Sequence, residues 1–167
     1  TTDSAGRIFL DSIPAGSYRI TEKNVPSNVI LSEIPQEVYL EAGCTRTVTF
    51  FNAVKPSLTI LKRNSVTGDP LFNAKFHIYY GSDNTTTGEI NDLGVFTTAS
   101  DGKITLTDVN RGWYKLVEES APNGFGIQGS GVTEFYLEAN TSKTVTVDNV
   151  PHSALVVYKY DAKTGKG

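Results

Sequence analysis

Apolar and polar residues alternate along most of this chain, and one kind of interruption recurs in the alternation. In SLTILK, residues Leu58, Ile60 and Lys62 fall on one face of a strand, because strand side chains alternate with a period of two. In YKLVE that face holds Tyr114, Leu116 and Glu118, and in VTVDN it holds Val145, Val147 and Asn149. Each run places two apolar residues and then a polar one on the side that should meet a core. The alternation predicts strands over 57–63, 74–80, 93–98, 103–108, 113–119, 132–138 and 143–149. Turn signals separate them: Thr67-Gly68-Asp69-Pro70, Asp101-Gly102, Asn110-Arg111-Gly112 and Pro122-Asn123-Gly124. Short strands at this spacing predict an all-β chain folded as an antiparallel β-sandwich.

The pattern also matches itself. Thr1 aligns with Thr97, Tyr18 with Tyr114 and Glu22 with Glu118, an offset of 96; after one inserted residue, Asn52 aligns with Asn149 and Lys62 with Lys159. A self-match at a fixed period predicts a tandem repeat. Residues 1–53 read as the C-terminal part of one repeat, 57–150 as a complete repeat, and 154–167 as the first strand of the next. The partial copies show the same faces: Tyr18, Ile20, Glu22; Val48, Phe50, Asn52; and Leu155, Val157, Lys159. The linkers Ala53-Val54-Lys55-Pro56 and Val150-Pro151-His152-Ser153 are short and contain Pro, which favours a stiff rod. The polar loop from Gly81 to Asn91 is expected to be mobile.

Composition narrows the function classes. Gly is 15, Pro 7 and aromatic residues 10%, which suits an all-β chain. The net charge of −3 comes from interspersed signs, so the concentrated positive face that nucleic acid needs is not expected. No apolar stretch approaches the length of a membrane-spanning helix. With no Met and no signal peptide, the chain reads as a segment of something longer. The lone Cys44 cannot close an internal disulfide and reads as a neutral surface or half-buried residue. His77 and His152 belong to no Ser or Cys triad pattern, and no metal-spaced His/Cys cluster or phosphate-cradling Gly loop is present. No cofactor, no metal and no enzyme turnover are therefore expected.

A buried Lys or Glu is costly unless paired or neutralised, so Lys62, Glu118 and Asn149 are expected to meet inside the domain. Two outcomes remain open. One is a buried polar network, an ion pair capped by an amide. The other is chemistry. Burial favours the neutral lysine amine, which is a nucleophile, and a glutamic acid beside the Asn carboxamide can polarise its carbonyl and pass a proton to departing ammonia. The product is a Lys62–Asn149 isopeptide bond formed once per domain, with the fold holding the groups together in place of an external catalyst.

The segments LTILKRNSVTGDPLFNAKF (58–76), ASDGKITL (99–106), GWYKLVEESAPNGF (112–125) and TVTVDN (144–149) resemble the collagen-adhesin B-type, prealbumin-like domains of Gram-positive surface proteins and pilins. The resemblance implies an Ig-like or prealbumin-like sandwich. It makes Lys62 the amine, Asn149 the acceptor and Glu118 the catalytic acid, with Glu22 and Asn52 matching in the first partial copy and Lys159 in the last. It further implies an extracellular, cell-wall-attached parent at the bacterial surface, with neighbouring repeats as partners. Three departures stand out: Asn64 where the family usually has Asp, Asn73-Ala74 for Gly-Ala, and Pro26-Ser27-Asn28 for Pro-x-Gly.

The leading function is a structural, force-bearing stalk or fibre repeat. A second is a ligand-binding adhesin module for a host protein or glycan, although only the outward-phase Trp113 hints at a contact surface. A third is a strand-donating subunit, in which Lys159 of one copy bonds Asn52 of the next, head to tail. Asn84-Thr85-Thr86 and Asn140-Thr141-Ser142 fit glycosylation sequons, which arise often by chance.

Overall fold

A computed structural model of the chain describes residues 1–81 and 91–167. The Gly81–Asn91 loop and the Asn84 sequon fall almost entirely on residues 82–90, outside the described residues. The chain divides into two compact units, Thr1–Val54 and Lys55–Gly167. Among the described residues there is no helix. The strands are β1 (Gly16–Ile20), β2 (Gln36–Leu40), β3 (Ser57–Asn64), β4 (Lys75–Gly81), β5 (Asn91–Thr97), β6 (Lys103–Leu106), β7 (Gly112–Ser120), β8 (Phe125–Ile127), β9 (Val132–Leu137) and β10 (Ser142–Pro151).

The second unit is a sandwich of two four-stranded sheets, ordered β6-β3-β10-β8 and β5-β4-β7-β9. Its strands fall where the alternation predicts them, to within a few residues. The alternation did not reveal β8: its three residues centre on Gly126, and it exists by pairing with the far end of β10 (Val150↔Gly126). Pairing is antiparallel except between β3 and β10, which run parallel from Ser142↔Ser57 to Asn149↔Asn64. No hairpin constrains these two, because they are the first and last strands of the unit. Their parallel course brings the polar ends of both strands to the same side of the sandwich.

The core holds Leu58 and Ile60 of β3, Phe76 and Ile78 of β4, Ile104 of β6, Tyr114 and Leu116 of β7, and Leu137 of β9. Strand β7 alternates buried and half-buried residues from Gly112 to Glu118, so the phase inferred from sequence is the phase observed. Trp113, on the opposite phase, packs edge-on against Tyr136 with ring centroids 5.6 Å apart, a contact within the sheet. The Tyr114 hydroxyl donates to the Asn110 carbonyl at 2.7 Å and ties the β6–β7 connection to the core.

The first unit has one antiparallel pair, β1 with β2. Several local conformations recur between the units. The Tyr18 hydroxyl donates to the Pro14 carbonyl at 2.6 Å, as Tyr114 does to Asn110. Ser12 and Asp108 have φ of 54° and 53°, and Gly6 and Gly102 have 73° and 72°. Residues 45–52 and 154–161 carry strand-like alternation yet join no sheet. The reason is visible in the second unit, where the corresponding strands β10 and β3 form their ladder with each other. Among the described residues, neither segment has that partner beside it.

Two of the departures from the family pattern have local explanations. Asn73 sits at φ 68°, the left-handed region that Gly favours and Asn tolerates better than most residues. Asn64 Oδ1 accepts from the Val66 N–H at 2.9 Å, as Asp161 Oδ1 accepts from the Lys163 N–H at 2.8 Å, so either residue caps the same turn.

Candidate functional site

Lys62, Glu118 and Asn149 come from three strands in two sheets and meet at one end of the core. Lys62 and Asn149 are fully buried, and Glu118 is 5% exposed. The Lys62 ammonium Nζ donates to Glu118 Oε2 at 2.9 Å and to Asn149 Oδ1. Asn149 Nδ2 donates to Glu118 Oε1 at 2.7 Å. Each residue therefore touches the other two, and the carboxylate bridges the amine and the carboxamide. The Phe76 ring lies below, with its centroid 5.8 Å from Nζ. Among the described residues no buried side-chain polar atom lacks a partner.

The backbone around the triad is also tied down. The Lys62 N–H donates to the Gly102 carbonyl at 2.8 Å, and the Lys62 carbonyl accepts from Leu71 at 2.8 Å. A side chain on Gly102 would meet the Lys62 carbonyl oxygen and Pro70 Cβ, each at 2.8 Å, so a close approach at left-handed φ demands glycine there. The Glu118 N–H donates to the Gly131 carbonyl at 2.8 Å, and the Asn149 carbonyl accepts from Ser65 at 2.9 Å.

Burial pushes the Lys62 amine below its ordinary pKa of 10.5, opposed by its hydrogen bond to Glu118 and by the charges of Glu118 and Asp148. Desolvation is the largest of these effects, so the site favours the nucleophilic amine more than water does. The geometry also provides a proton acceptor on the amine and a contact from the same carboxyl group to the carboxamide nitrogen.

The other predicted residues are placed differently. Glu22 and Asn52 of the first unit meet as Glu118 and Asn149 do, with Asn52 Nδ2 donating to Glu22 Oε2 at 2.5 Å. Glu22 Oε2 also accepts from the Ser32 N–H at 3.0 Å, and Asn52 donates to the Ile30 carbonyl at 3.1 Å. Their expected core position is not matched by core burial: Glu22 is half-buried and Asn52 exposed, because no strand corresponding to β3 covers them among the described residues. Lys159 lies exposed in a tail that joins no sheet. Cys44 is free and exposed.

One cluster escaped sequence reasoning. His77 on β4 bonds Asp92 of β5 through Nε2 at 2.7 Å and Glu119 of β7 through Nδ1 at 3.1 Å, and it stacks on Tyr79. The hydrogen bond to Asp92 leads in raising the His77 pKa above its ordinary 6.5. The signal was that His77 and Glu119 share the outward phase of neighbouring strands, but their pairing depends on the strand order β5-β4-β7. Among the described residues no group of three or more His, Cys, Asp and Glu side chains could hold a metal, and no helix is long and apolar enough to cross a membrane.

Two facing sheets, a tyrosine-tied connection and a buried Lys-Glu-Asn cluster joining first and last strands define a prealbumin-like β-sandwich. The family described as SpaA, prealbumin-like fold domain, matches residues 1–54 and 56–151. The chain belongs to this family. No curated protein matches it. Among solved structures it is similar to the Bacillus anthracis TIE protein, at 23% identity and TM-score 0.52 over 90% of this chain and 28% of that one. It is also similar to the group B streptococcus pilus 2b backbone protein, at 20% identity and TM-score 0.49, covering 78% of this chain and 52% of that one. A third similar structure is GBS52, the minor pilin of Streptococcus agalactiae, at 20% identity and TM-score 0.48, covering 95% and 69%. The chain thus spans 28% and 52% of the first two.

Proposed function

We propose that the second unit seals itself with an isopeptide bond between Lys62 Nζ and Asn149 Cγ, and that the chain is a force-bearing segment of a Gram-positive surface stalk or pilus. The observation that carries this reading is the three-way contact of Lys62, Glu118 and Asn149 in a fully buried site.

The Lys62 ammonium first passes a proton to Glu118 Oε2, leaving a neutral amine and a carboxylic acid. The amine attacks Asn149 Cγ and forms the new C–N bond. As the tetrahedral intermediate collapses, the carboxyl group takes a proton from Nζ and supplies one to Nδ2, and the Cγ–Nδ2 bond breaks. Ammonia leaves, and one amide has replaced another with no oxidant or cofactor. The step occurs once per chain, so the protein turns over no substrate.

The β3–β10 pairing suits load. Force entering at Ser57 and leaving at Pro151 pulls parallel neighbours in opposite directions and shears their ladder. A covalent tie between Lys62 and Asn149 carries that force across the ladder and spares the 86 residues from Arg63 to Asp148 (148 − 62). Such a role belongs outside the cell, with neighbouring repeats as partners.

A second reading is favoured by the Glu22–Asn52 contact, which repeats the Glu118–Asn149 contact in the first unit. Residues 154–161 of another copy repeat the β3 pattern, and the turn after them is already formed by Asp161. Lys159 of that copy would bond Asn52. The two readings separate in one experiment: intact mass and denaturing gel analysis of the purified chain. Loss of one ammonia in a monomer supports the internal bond. Covalent multimers support the intermolecular one. Full mass in folded monomer sinks both.

A further inference from the structure

An ion pair stands beside the triad, and the chemistry above does not use it. Arg63 follows Lys62 on β3, and Asp148 precedes Asn149 on β10; the two lie directly opposite in the parallel ladder. Arg63 Nε donates to Asp148 Oδ1 at 3.1 Å and Nη2 to Oδ2 at 3.2 Å. Their side chains are 41% and 32% exposed, on the outer face, while Lys62 and Asn149 point inward.

The inward residues of these strands do little to choose their register. Ile60 faces Val145, Leu58 faces Lys143 and Lys62 faces Val147; a slip of two residues sets Ile60 opposite Val147 or Lys143 and keeps every side chain on its own face. Such a slip would set Asn149 opposite Lys62 or Val66 instead of Asn64, and carry its carboxamide about 6.6 Å along β3 from the place where it meets Glu118. It would also set Asp148 opposite Leu61 or Ser65, and Arg63 opposite Thr146 or Val150. The two-pronged pair forms only in the register that joins the reacting groups.

Asp148 also acts on Lys62 through its charge, which favours the unreactive ammonium. The charges that act on Lys62 are those of Glu118 on β7 and Asp148 on β10; the surrounding elements also carry Arg63 of its own strand, Lys75 of β4, Lys115 and Glu119 of β7, Lys143 of β10, and Lys103 and Asp101 of β6 and its turn. The facing part of β4 presents the Phe76 ring, and β8 is uncharged. Arg63 is the cation bonded to Asp148, and it offsets that carboxylate. The positions equivalent to Asp148 and Arg63 elsewhere in the chain hold Phe51 and Tyr160, so the pair is particular to the second unit.

We propose that Arg63 is a positioning residue for the Lys62–Asn149 bond: together with Asp148 it fixes the β3–β10 register at the reacting step and offsets the carboxylate beside the amine. This rests on the bond-forming reading above. The test follows bond formation in newly made full-length chain. Cell-free synthesis is stopped, the chain is held at set pH, and aliquots are denatured in acid and weighed for ammonia loss. In Arg63→Gln and Asp148→Asn the rate at the high-pH plateau falls about two- to fivefold, the range of a half-exposed pair. The midpoint of the pH–rate curve moves up in Arg63→Gln and down in Asp148→Asn. Opposite movements do not follow from loosened packing alone. The exchange Arg63→Asp with Asp148→Arg restores the plateau. Unchanged plateaus, an exchange that restores nothing, or midpoints that stay fixed or move together overturn the proposal. A wild-type chain that never loses ammonia overturns the bond itself, and this role with it.

Discussion

Replacing Glu118 by Gln tests the triad most directly. The substitution keeps size and hydrogen-bonding reach and removes the group proposed to exchange protons with Lys62 and the carboxamide. The Glu118→Gln chain should keep its full mass, while the wild type loses one ammonia. The stability difference has two parts. The bond would close a loop between residues 87 apart, which by analogy with disulfide loop entropy contributes about 4.6 kcal/mol at 25 °C. Removing the carboxylate also leaves Lys62 buried without its ionic partner, which costs up to about 3–5 kcal/mol and less if the amine simply deprotonates. Together these come to about 5–9 kcal/mol. For a unit of about 95 residues the unfolding entropy is near 0.2 kcal/mol per kelvin, so the second unit should melt about 25–45 °C lower.

Scanning calorimetry with intact mass of the same samples separates the two parts when Lys62→Met is run beside Glu118→Gln. Lys62→Met loses the bond without leaving a buried ammonium, so its melting point should fall mainly by the loop contribution, about 23 °C. The reasoning fails if Glu118→Gln loses ammonia at the wild-type rate, because proton exchange through Glu118 is then not required. It fails differently if the wild type loses ammonia yet melts with Glu118→Gln, since loop closure would then contribute nothing.

Four further outcomes are expected. Bond formation should quicken as pH rises toward the lowered Lys62 pKa and level off above it, measured as ammonia loss in freshly made chain. While the bond is absent, as in Asn149→Ala, the unfolded chain holds the Lys62 proton more tightly than the folded one, so stability to urea should rise with pH up to the unfolded value of 10.5. His77 carries the opposite sign: its pKa is raised, so its contribution is fully present below 6.5 and is lost as pH climbs through the folded value, and His77→Gln should flatten that slope in urea titrations. Gly102→Ala should destabilise the second unit by about 2 kcal/mol or more and slow ammonia loss, because the new methyl meets the Lys62 carbonyl at left-handed φ.

What the sequence revealed and what it hid follow from one physical distinction. Strand phase is local: alternation alone places Lys62, Glu118 and Asn149 on core-facing positions, and their burial agrees. Strand neighbourhood is not local. That β3 and β10 run parallel and adjacent depends on how the whole sandwich closes, and no spacing in the chain encodes it. The His77 cluster and the Arg63–Asp148 pair were hidden for this reason, since each joins residues on strands whose adjacency comes from topology. The two partly matching segments sharpen the point. Residues 45–52 carry the same alternation as β10, and residues 154–161 the same alternation as β3, yet neither forms a strand. Their sequence suits a ladder, but a ladder needs a neighbour to accept its hydrogen bonds. Glu22 and Asn52 show how far local sequence carries a site in that condition. The carboxylate and the carboxamide find each other, but Glu22 is only half-buried and Asn52 is exposed, and water there stabilises a charged amine. The strand that brings the lysine therefore does two jobs in the second unit. It delivers the lysine, and by covering the site it creates the dryness that favours the neutral amine.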